Sequence, residues 1–338
     1  MPGQSNTRVV ITGLGGPEVL KLVQEFLPEP PPAHVRVKVL AAGVAFADVL
    51  MRRGLYPGTP RLPFTPGYDI VGNIDALGQG VTEFRIGQRV AALTMTGGYS
   101  QFTMVPAAHL VSAPEELDPA EAVSLVLNYV TAFQMIHRVA RLGRGQSLLV
   151  HAAAGGVGTA ALQLGKIAGL TLFGTASKSK QQVVSGLGAV PIDYRTESFV
   201  DRIRKLAPEG LDCVLDPVGG PQWWRSYSCL RTGGNLVCYG VQAAVSKGKL
   251  TAGIGFALLG LMKLLPDGKN ASWYNVKNLR DGHPNWFRED LGQLFGFLAA
   301  RQIEPIIAAR LPLCDAARAN EMLEKFQSTG KLVLLPQQ

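Results

Sequence analysis

The sequence predicts an α/β protein with two domains, one a compact β-barrel and the other a doubly wound parallel sheet. Three observations point there. In the first third, short β-like runs recur between Gly and Pro: TRVVIT, VLKLVQEF, HVRVKVLAAGV, DIVGNIDAL, QRVAAL and SQFTMVP. Frequent turn signals between such runs indicate a barrel. From Asp118 the spacing turns helical, and beyond residue 147 apolar strands alternate with helices, the pattern of a parallel sheet covered on both faces. A chain of 338 residues also exceeds what one ordinary core holds.

The elements follow in order. Helix DPAEAVSLVLNYVTAFQMIHRVARL takes Asp118 as N-cap and Pro119 in its first turn. Strand SLLVHA leads into helix GVGTAALQLGKIAG, then strand TLFGTA and a helix through Lys178–Gly186, then strands AVPIDY, CVLDPV and NLVCYG. After about residue 278 a long helix, WFREDLGQLFGFLAARQI, precedes strands PIIAARLPL and KLVLLP around helix CDAARANEMLEKF. The apolar run Ala252–Pro266 is broken by Lys263 and is shorter than the roughly 20 residues that cross a bilayer, so it reads as a buried or interface helix. The expected boundaries are 1–126, 127–278 and 279–338, the last part returning to the first domain.

Composition narrows the function. Hydrophobic residues make up 47% and charged residues 17%, the balance of a packed soluble protein. The net charge of +8 is scattered, with no basic tract interleaved with aromatics, so no nucleic-acid partner is expected. The four cysteines, Cys213, Cys229, Cys238 and Cys314, have the spacing of neither a disulfide framework nor a zinc ribbon. The start MPGQSNTRVVITG lacks the pattern of a signal peptide, and a cytoplasmic location is expected.

The stretch HAAAGGVGTAALQLGKIAG carries the chemistry. It has strand before and helix after, the context of a dinucleotide-binding turn, although Ala153 stands where the template G-x-G-x-x-G has its first glycine. Gly155 and Gly156 allow close backbone approach, Gly158 lets the helix pack on the sheet, and the turn Ala154–Gly158, Val157 included, offers its amides to a pyrophosphate. Ala153 is tolerated if its φ is negative. The earlier cluster GLGGPEVL, Gly13–Leu20, is followed by a β-like run and reads as a turn joining two strands. An NAD-selective site places a carboxylate about 20 residues past the glycines. Here that zone holds Thr175, Ser177, Lys178 and Lys180, hydroxyls and ammoniums that suit the 2′-phosphate of NADPH. A solvated surface cluster is the competing reading.

Together GGPEVLKL, VRVKVLAAGVAFADVLMRRGLYP, PFTPGYDIVGNIDALGQGVTEFRIGQRVAAL, GGYSQF, HAAAGGVGTAALQLGKIAG, DPVGG and TGKLVLLP resemble the quinone oxidoreductase branch of the medium-chain dehydrogenase/reductase superfamily. The resemblance covers almost the whole chain. It implies a GroES-like β-barrel catalytic domain, a Rossmann domain binding NADPH, a C-terminal return to the barrel, and a homodimer. It implies that Asn128, Tyr129 and Thr131 lie by the nicotinamide, that Lys180 and Tyr194 lie by the 2′-phosphate, and that Gly219 in DPVGG and Gly240 in NLVCYG line the cofactor.

The same resemblance raises two departures. Zinc-dependent relatives have Cys where this chain has Ala45, and a His-Glu pair where it has Tyr68-Asp69, so no metal is expected. Quinone oxidoreductases often have Asn at the position of Ala45, and an arginine at that of Phe326. The implied reaction is reduction of a quinone or an α,β-unsaturated carbonyl, with Tyr56 as hydrogen-bond or proton donor and Asp48 near the acceptor. Tyr56 as a pocket wall and Asp48 as a structural group stay open. So do a specialised biosynthetic enoyl reductase and a non-catalytic NADPH-binding protein. Trp273 and Tyr274 are read either as a dimer strand or as ordinary core.

Overall fold

The computed structural model describes residues 5–338, and these form two compact units. One runs to Leu127 and resumes at Asn285; the other is Asn128–Pro284.

In the first unit, strands β1 (Ser5–Ile11) and β2 (Leu20–Phe26) pair antiparallel. The glycine cluster between them leads into a 3-10 turn at Pro17–Val19, the strand-joining role read from the sequence. Strand β3 (His34–Val44) is the spine of the barrel. Its Val35, Val37 and Val39 are wholly buried and alternate with Arg36 and Lys38, the period of two that a half-buried strand requires. A short helix, α1 (Phe46–Arg52), follows and was not legible as one. Strands β4 (Asp69–Leu77), β5 (Arg89–Ala92), β6 (Phe102–Pro106) and β7 (Leu110–Ser112) build out the sheet, β4 and β6 both pairing with β3.

Helix α2 (Pro119–Ser124) starts as expected: the Asp118 carboxylate accepts the amides of Ala120 and Glu121 at 3.1 and 3.0 Å. The helical run continues through a wide π turn at Leu125–Tyr129, α3 (Val130–Phe133) and a second π turn at Gln134–Val139.

The second unit alternates as predicted: β8 (Ser147–Val150), α4 (Gly156–Ile167), β9 (Thr171–Ala176), α5 (Gln181–Gly186), β10 (Val190–Asp193), α6 (Phe199–Leu206), β11 (Leu211–Asp216), α7 (Gln222–Ser228) and β12 (Leu230–Cys238). Helices α8 (Ala243–Lys247) and α9 (Lys249–Met262), strand β13 (Asn270–Trp273) and helix α10 (Val276–Gly282) complete it. The strands are all parallel, in the order β10-β9-β8-β11-β12-β13. Leu148, Leu149, Val150, Val214, Leu215, Leu236 and Val237 have no exposed surface, because both faces of the central strands are covered. The order reverses between β8 and β11, so the loops leaving those strands lie at the topological switch point, where such sheets bind ligands.

The chain then returns to the first unit with α11 (Pro284–Ala299), β14 (Ile307–Pro312), α12 (Ala316–Glu324) and β15 (Lys331–Leu335). Strand β15 pairs with β3 and β14, so the C-terminal segment completes the barrel sheet.

Two readings gain detail. The apolar run at Ala252–Pro266, read as a buried or interface helix, has two faces: Gly255, Leu259 and Met262 face inward, while Ile254, Leu261 and Leu264 are exposed. Among the described residues no helix is long and apolar enough to cross a membrane. Trp273, half-buried on the edge strand β13, packs with Trp223 and Phe256, and the buried Tyr274 donates its hydroxyl to Gln134 Oε1 at 2.8 Å.

Candidate cofactor and acceptor sites

The loop after β8 is built from backbone approach. The first i→i−4 bond of α4 runs from the Thr159 amide to the Gly155 carbonyl (2.8 Å), so the amides of Gly156, Val157 and Gly158 lie outside the helix ladder. A Cβ at Gly158 would lie 2.4 Å from the Ala152 carbonyl oxygen and 2.7 Å from the Ala153 backbone. Only glycine lets the helix start this close to the strand end. At Gly156 a Cβ would meet Asn128 Nδ2 at 2.1 Å, so the structure lays the Asn128 amide over the loop. Thr131, on α3, is buried. At Gly155 the nearest atom is the Ala152 carbonyl oxygen at 3.3 Å, and Ala154 is buried beside it.

Ala153 is wholly buried and is not among the residues with positive φ; the left-handed residue is Ala152, with φ 52°. The Ala153 methyl occupies space that a Cβ at Gly174 would enter, at 2.8 Å. Alanine therefore stands in the motif because glycine stands in the neighbouring strand.

A buried chain of hydrogen bonds fixes the loop from below, and sequence reading missed it. His151 Nδ1 lies 3.0 Å from the Thr175 hydroxyl, His151 Nε2 lies 3.1 Å from Ser226 Oγ, and Ser226 donates to Asp216 at 2.6 Å. Burial holds the His151 pKa below its usual value. Asp216 also accepts the amides of Val218 and Gly219, at 2.8 and 3.4 Å. Gly219, with φ 87°, packs on Val241 and Gly240, and a Cβ at Gly240 would lie 2.7 Å from the Pro217 carbonyl oxygen. The loops after β8, β9 and β11 are thus braced as one piece.

Of the residues expected by the 2′-phosphate, Thr175 is 3% exposed and its hydroxyl lies 3.0 Å from His151 Nδ1, within the brace of the loop. Ser177, Lys178 and Lys180 follow β9 at the surface or half-buried. Burial, then the neighbouring Arg195, lowers the Lys180 pKa. Arg195 lies 5.8 Å from the centre of the Tyr194 ring, which is half exposed. Arg195 thereby lies by both Tyr194 and Lys180, and Lys178 precedes Lys180 in the same 3-10 turn; its place beside Tyr194 was the signal available in the sequence.

In the first unit, Asp48 lies at the centre of a closed knot. It is 1% exposed and accepts the amides of Ala45 (2.9 Å) and Gly67 (3.0 Å) and the Tyr99 hydroxyl (3.0 Å). Burial raises its pKa to about 6, against those donors. Asp48 starts α1 and ties it to the Gly67 turn, the structural role that the sequence left open for it beside a catalytic one. Tyr56 is partly exposed, and its hydroxyl lies 2.7 Å from that of Tyr68, with the rings edge to face. Next to Tyr68, the buried Asp69 pairs with Lys331 Nζ at 2.9 and 3.1 Å. Phe46, the residue after Ala45, stacks on Phe326 at 5.7 Å.

The family pattern described as Alcohol dehydrogenase GroES-like domain matches residues 31–115, and that described as Zinc-binding dehydrogenase matches residues 187–334. The quinone oxidoreductase of Pseudomonas aeruginosa is 34% identical over 337 residues, 97% of this chain and 99% of that protein. The chain belongs to the quinone oxidoreductase branch of the medium-chain dehydrogenase/reductase superfamily. The synaptic vesicle membrane protein VAT-1 homolog of Rattus norvegicus is 35% identical over 339 residues, 97% of this chain and 83% of that protein. Escherichia coli quinone oxidoreductase, solved in complex with NADPH, superimposes with a TM-score of 0.89 at 29% identity, covering 98% and 100% of the two chains.

Zinc, named in one family description, does not fit the residues of this member. Ala45 offers no donor, the Tyr68 hydroxyl is engaged with Tyr56, and the Asp69 carboxylate is held by Lys331. Among the described residues no three His, Cys, Asp or Glu side chains are grouped to hold a metal ion.

Proposed function

We propose that the protein is an NADPH-dependent, zinc-free reductase of quinones and α,β-unsaturated carbonyls. The observation that carries this reading is the pairing of a glycine cradle with a cationic patch on one sheet. At Gly158 a Cβ would strike backbone, Lys178 and Lys180 follow the adjacent strand β9, and Arg195 follows β10 beyond it, close enough to lower the Lys180 pKa. NADPH, when bound, supplies the hydride. The amides of Gly156, Val157 and Gly158 hold its pyrophosphate, and Asn128 and Thr131 hold the nicotinamide end. Gly219 and Gly240 keep the loop floor close, and Ser177, Lys178, Lys180, Tyr194 and Arg195 select the 2′-phosphate. Residues 127–278 are the cofactor domain in this reading, and 1–126 with 279–338 the acceptor domain.

On the acceptor side, the Tyr56 hydroxyl donates to the acceptor oxygen as negative charge gathers there, and the Tyr68 hydroxyl at 2.7 Å orients it. Apolar Ala45, Phe46 and Phe326 favour an apolar acceptor; polar asparagine or arginine at 45 and 326 would not.

The test is NADPH oxidation against a panel of quinones and enones, with NADH in parallel. Turnover preferring NADPH is expected, and K178A/K180A weakens NADPH by about tenfold or more while leaving NADH nearly unchanged. Equal loss for both cofactors removes the 2′-phosphate assignment, and tight NADPH binding with no turnover of any acceptor removes the reductase reading.

A further inference from the structure

Helix α9 carries an apolar row that the enzymatic reading does not use. Leu250 is 77% exposed, Ile254 42%, Leu261 48% and, just past the helix end, Leu264 80%. With exposed Ala257 the row steps by four, three, four and three residues, which is one face of a helix. The opposite face holds the helix to its domain: Gly255 packs on Gly220 and Trp223, and Leu259 and Met262 are buried. Phe256, although 43% exposed, belongs to that inner side through its edge contacts with Trp223 and Trp273. A Cβ built at Gly253 or Gly260 meets nothing within 4 Å, so no described residue lies against the outer face there. Scattered exposed leucines need no explanation, but a contiguous row does.

Charge identifies what covers it. Exposed Lys247 and Lys249 stand at the start of the row and exposed Lys263 at its end. No acidic residue occurs between Ala243 and Leu264. The nearby Asp267 accepts the Tyr227 hydroxyl at 2.7 Å. A second copy of this face fits poorly: parallel helices set Lys249 by Lys249 and Lys263 by Lys263, antiparallel helices set Lys249 by Lys263, and no carboxylate on the helix relieves either. An anionic surface meets the apolar row and its lysine ends at once. At 14 residues α9 is about 21 Å long, too short for a hydrocarbon core of about 30 Å, so it lies on a bilayer and does not span it.

We propose that α9 is an interfacial helix that docks the protein on anionic phospholipid membranes, with Leu250, Ile254, Leu261 and Leu264 among the acyl chains and Lys247, Lys249 and Lys263 on the phosphates. This stands independently of the reductase reading.

The experiment is cosedimentation of the full-length protein with vesicles of equal parts phosphatidylcholine and phosphatidylglycerol, against phosphatidylcholine alone. Binding to the mixed vesicles is expected, weakened by salt and nearly absent on phosphatidylcholine. K249Q/K263Q reduces it by about 25-fold, since each lysine near an anionic surface contributes about a fivefold factor. L250S/L264S abolishes it. Both variants keep the parent's melting temperature, because the altered side chains are exposed. Three results each overturn the proposal: no binding by the parent, binding that both variants retain, or a parent dimer in light scattering that L250S/L264S separates.

Discussion

Gly155 and Gly158 stand three residues apart in one loop, yet substituting alanine at each should give opposite phenotypes. At Gly158 the new methyl carbon falls 2.4 Å from the Ala152 carbonyl oxygen, with the Ala153 backbone at 2.7 Å, and neither neighbour is a side chain that can turn away. The start of α4 must move off the strand end by most of an ångström. Overpacking of this kind costs about 1–3 kcal/mol. In a domain of this size that lowers the melting temperature by roughly 2–12 °C. At Gly155 the nearest atom is 3.3 Å away and φ is −81°, so Gly155→Ala leaves the unliganded protein within about 0.5 kcal/mol of the parent. Its methyl instead stands at the start of the helix where the pyrophosphate is to approach. Loss of one hydrogen bond to a charged group, about 1.5–3 kcal/mol, weakens NADPH by about ten- to a hundredfold. The assay is differential scanning fluorimetry without cofactor, together with NADPH titration by fluorescence. If Gly155→Ala destabilises the unliganded protein as much as Gly158→Ala, or leaves NADPH affinity intact, the assignment of separate steric and binding roles fails.

Other outcomes follow from the first unit. Lys331→Met strands the fully buried Asp69 carboxylate and should cost about 3–5 kcal/mol in urea unfolding, whereas D69L/K331M recovers much of it; a loss below about 1 kcal/mol for the single variant contradicts the pairing. Asp48 binds its proton more tightly folded than unfolded, so its contribution to stability is complete below pH 3.8 and is lost as pH rises through about 6. Asp48→Asn should remove that slope from the pH dependence of unfolding, and an unchanged slope would show that another group causes it. Tyr56→Phe should lower kcat by about a hundredfold with KM little changed, while unchanged turnover reduces Tyr56 to a wall.

The strands and helices that carry strong periodicity were legible in the sequence, as was the helix that Asp118 caps. The helix α1 was not: it has only seven residues, and its start depends on Asp48 reaching back to the Ala45 amide and outward to Gly67 and Tyr99. Such tertiary contacts leave no period in the chain. The glycine turn between β8 and α4 was readable because its glycines answer to local sterics. The brace around Thr175 was not legible for the converse reason. Its neighbours Ser177 and Lys178 look like a polar cluster, but strand alternation turns Thr175 inward to His151, and His151, Ser226 and Asp216 are scattered over residues 151 to 226. Arg195 was hard to see because a lone arginine in the turn after β10 is usually solvated surface, and only the fold sets it by Lys180.

The contact between Ala153 and Gly174 constrains how this loop can evolve. Either position taken alone looks free to exchange alanine and glycine, but the pair has a forbidden state. Alanine at both sets two methyl carbons 2.8 Å apart, with Val184 closing the other side at 2.7 Å. Glycine at both opens a methyl-sized void costing about 1 kcal/mol. A lineage moving the methyl from one strand end to the other must therefore pass through the void and must also reshape residue 184. The first letter of the dinucleotide fingerprint is thus inherited jointly with two residues some twenty to thirty places downstream, and a motif scored one position at a time cannot register that dependence.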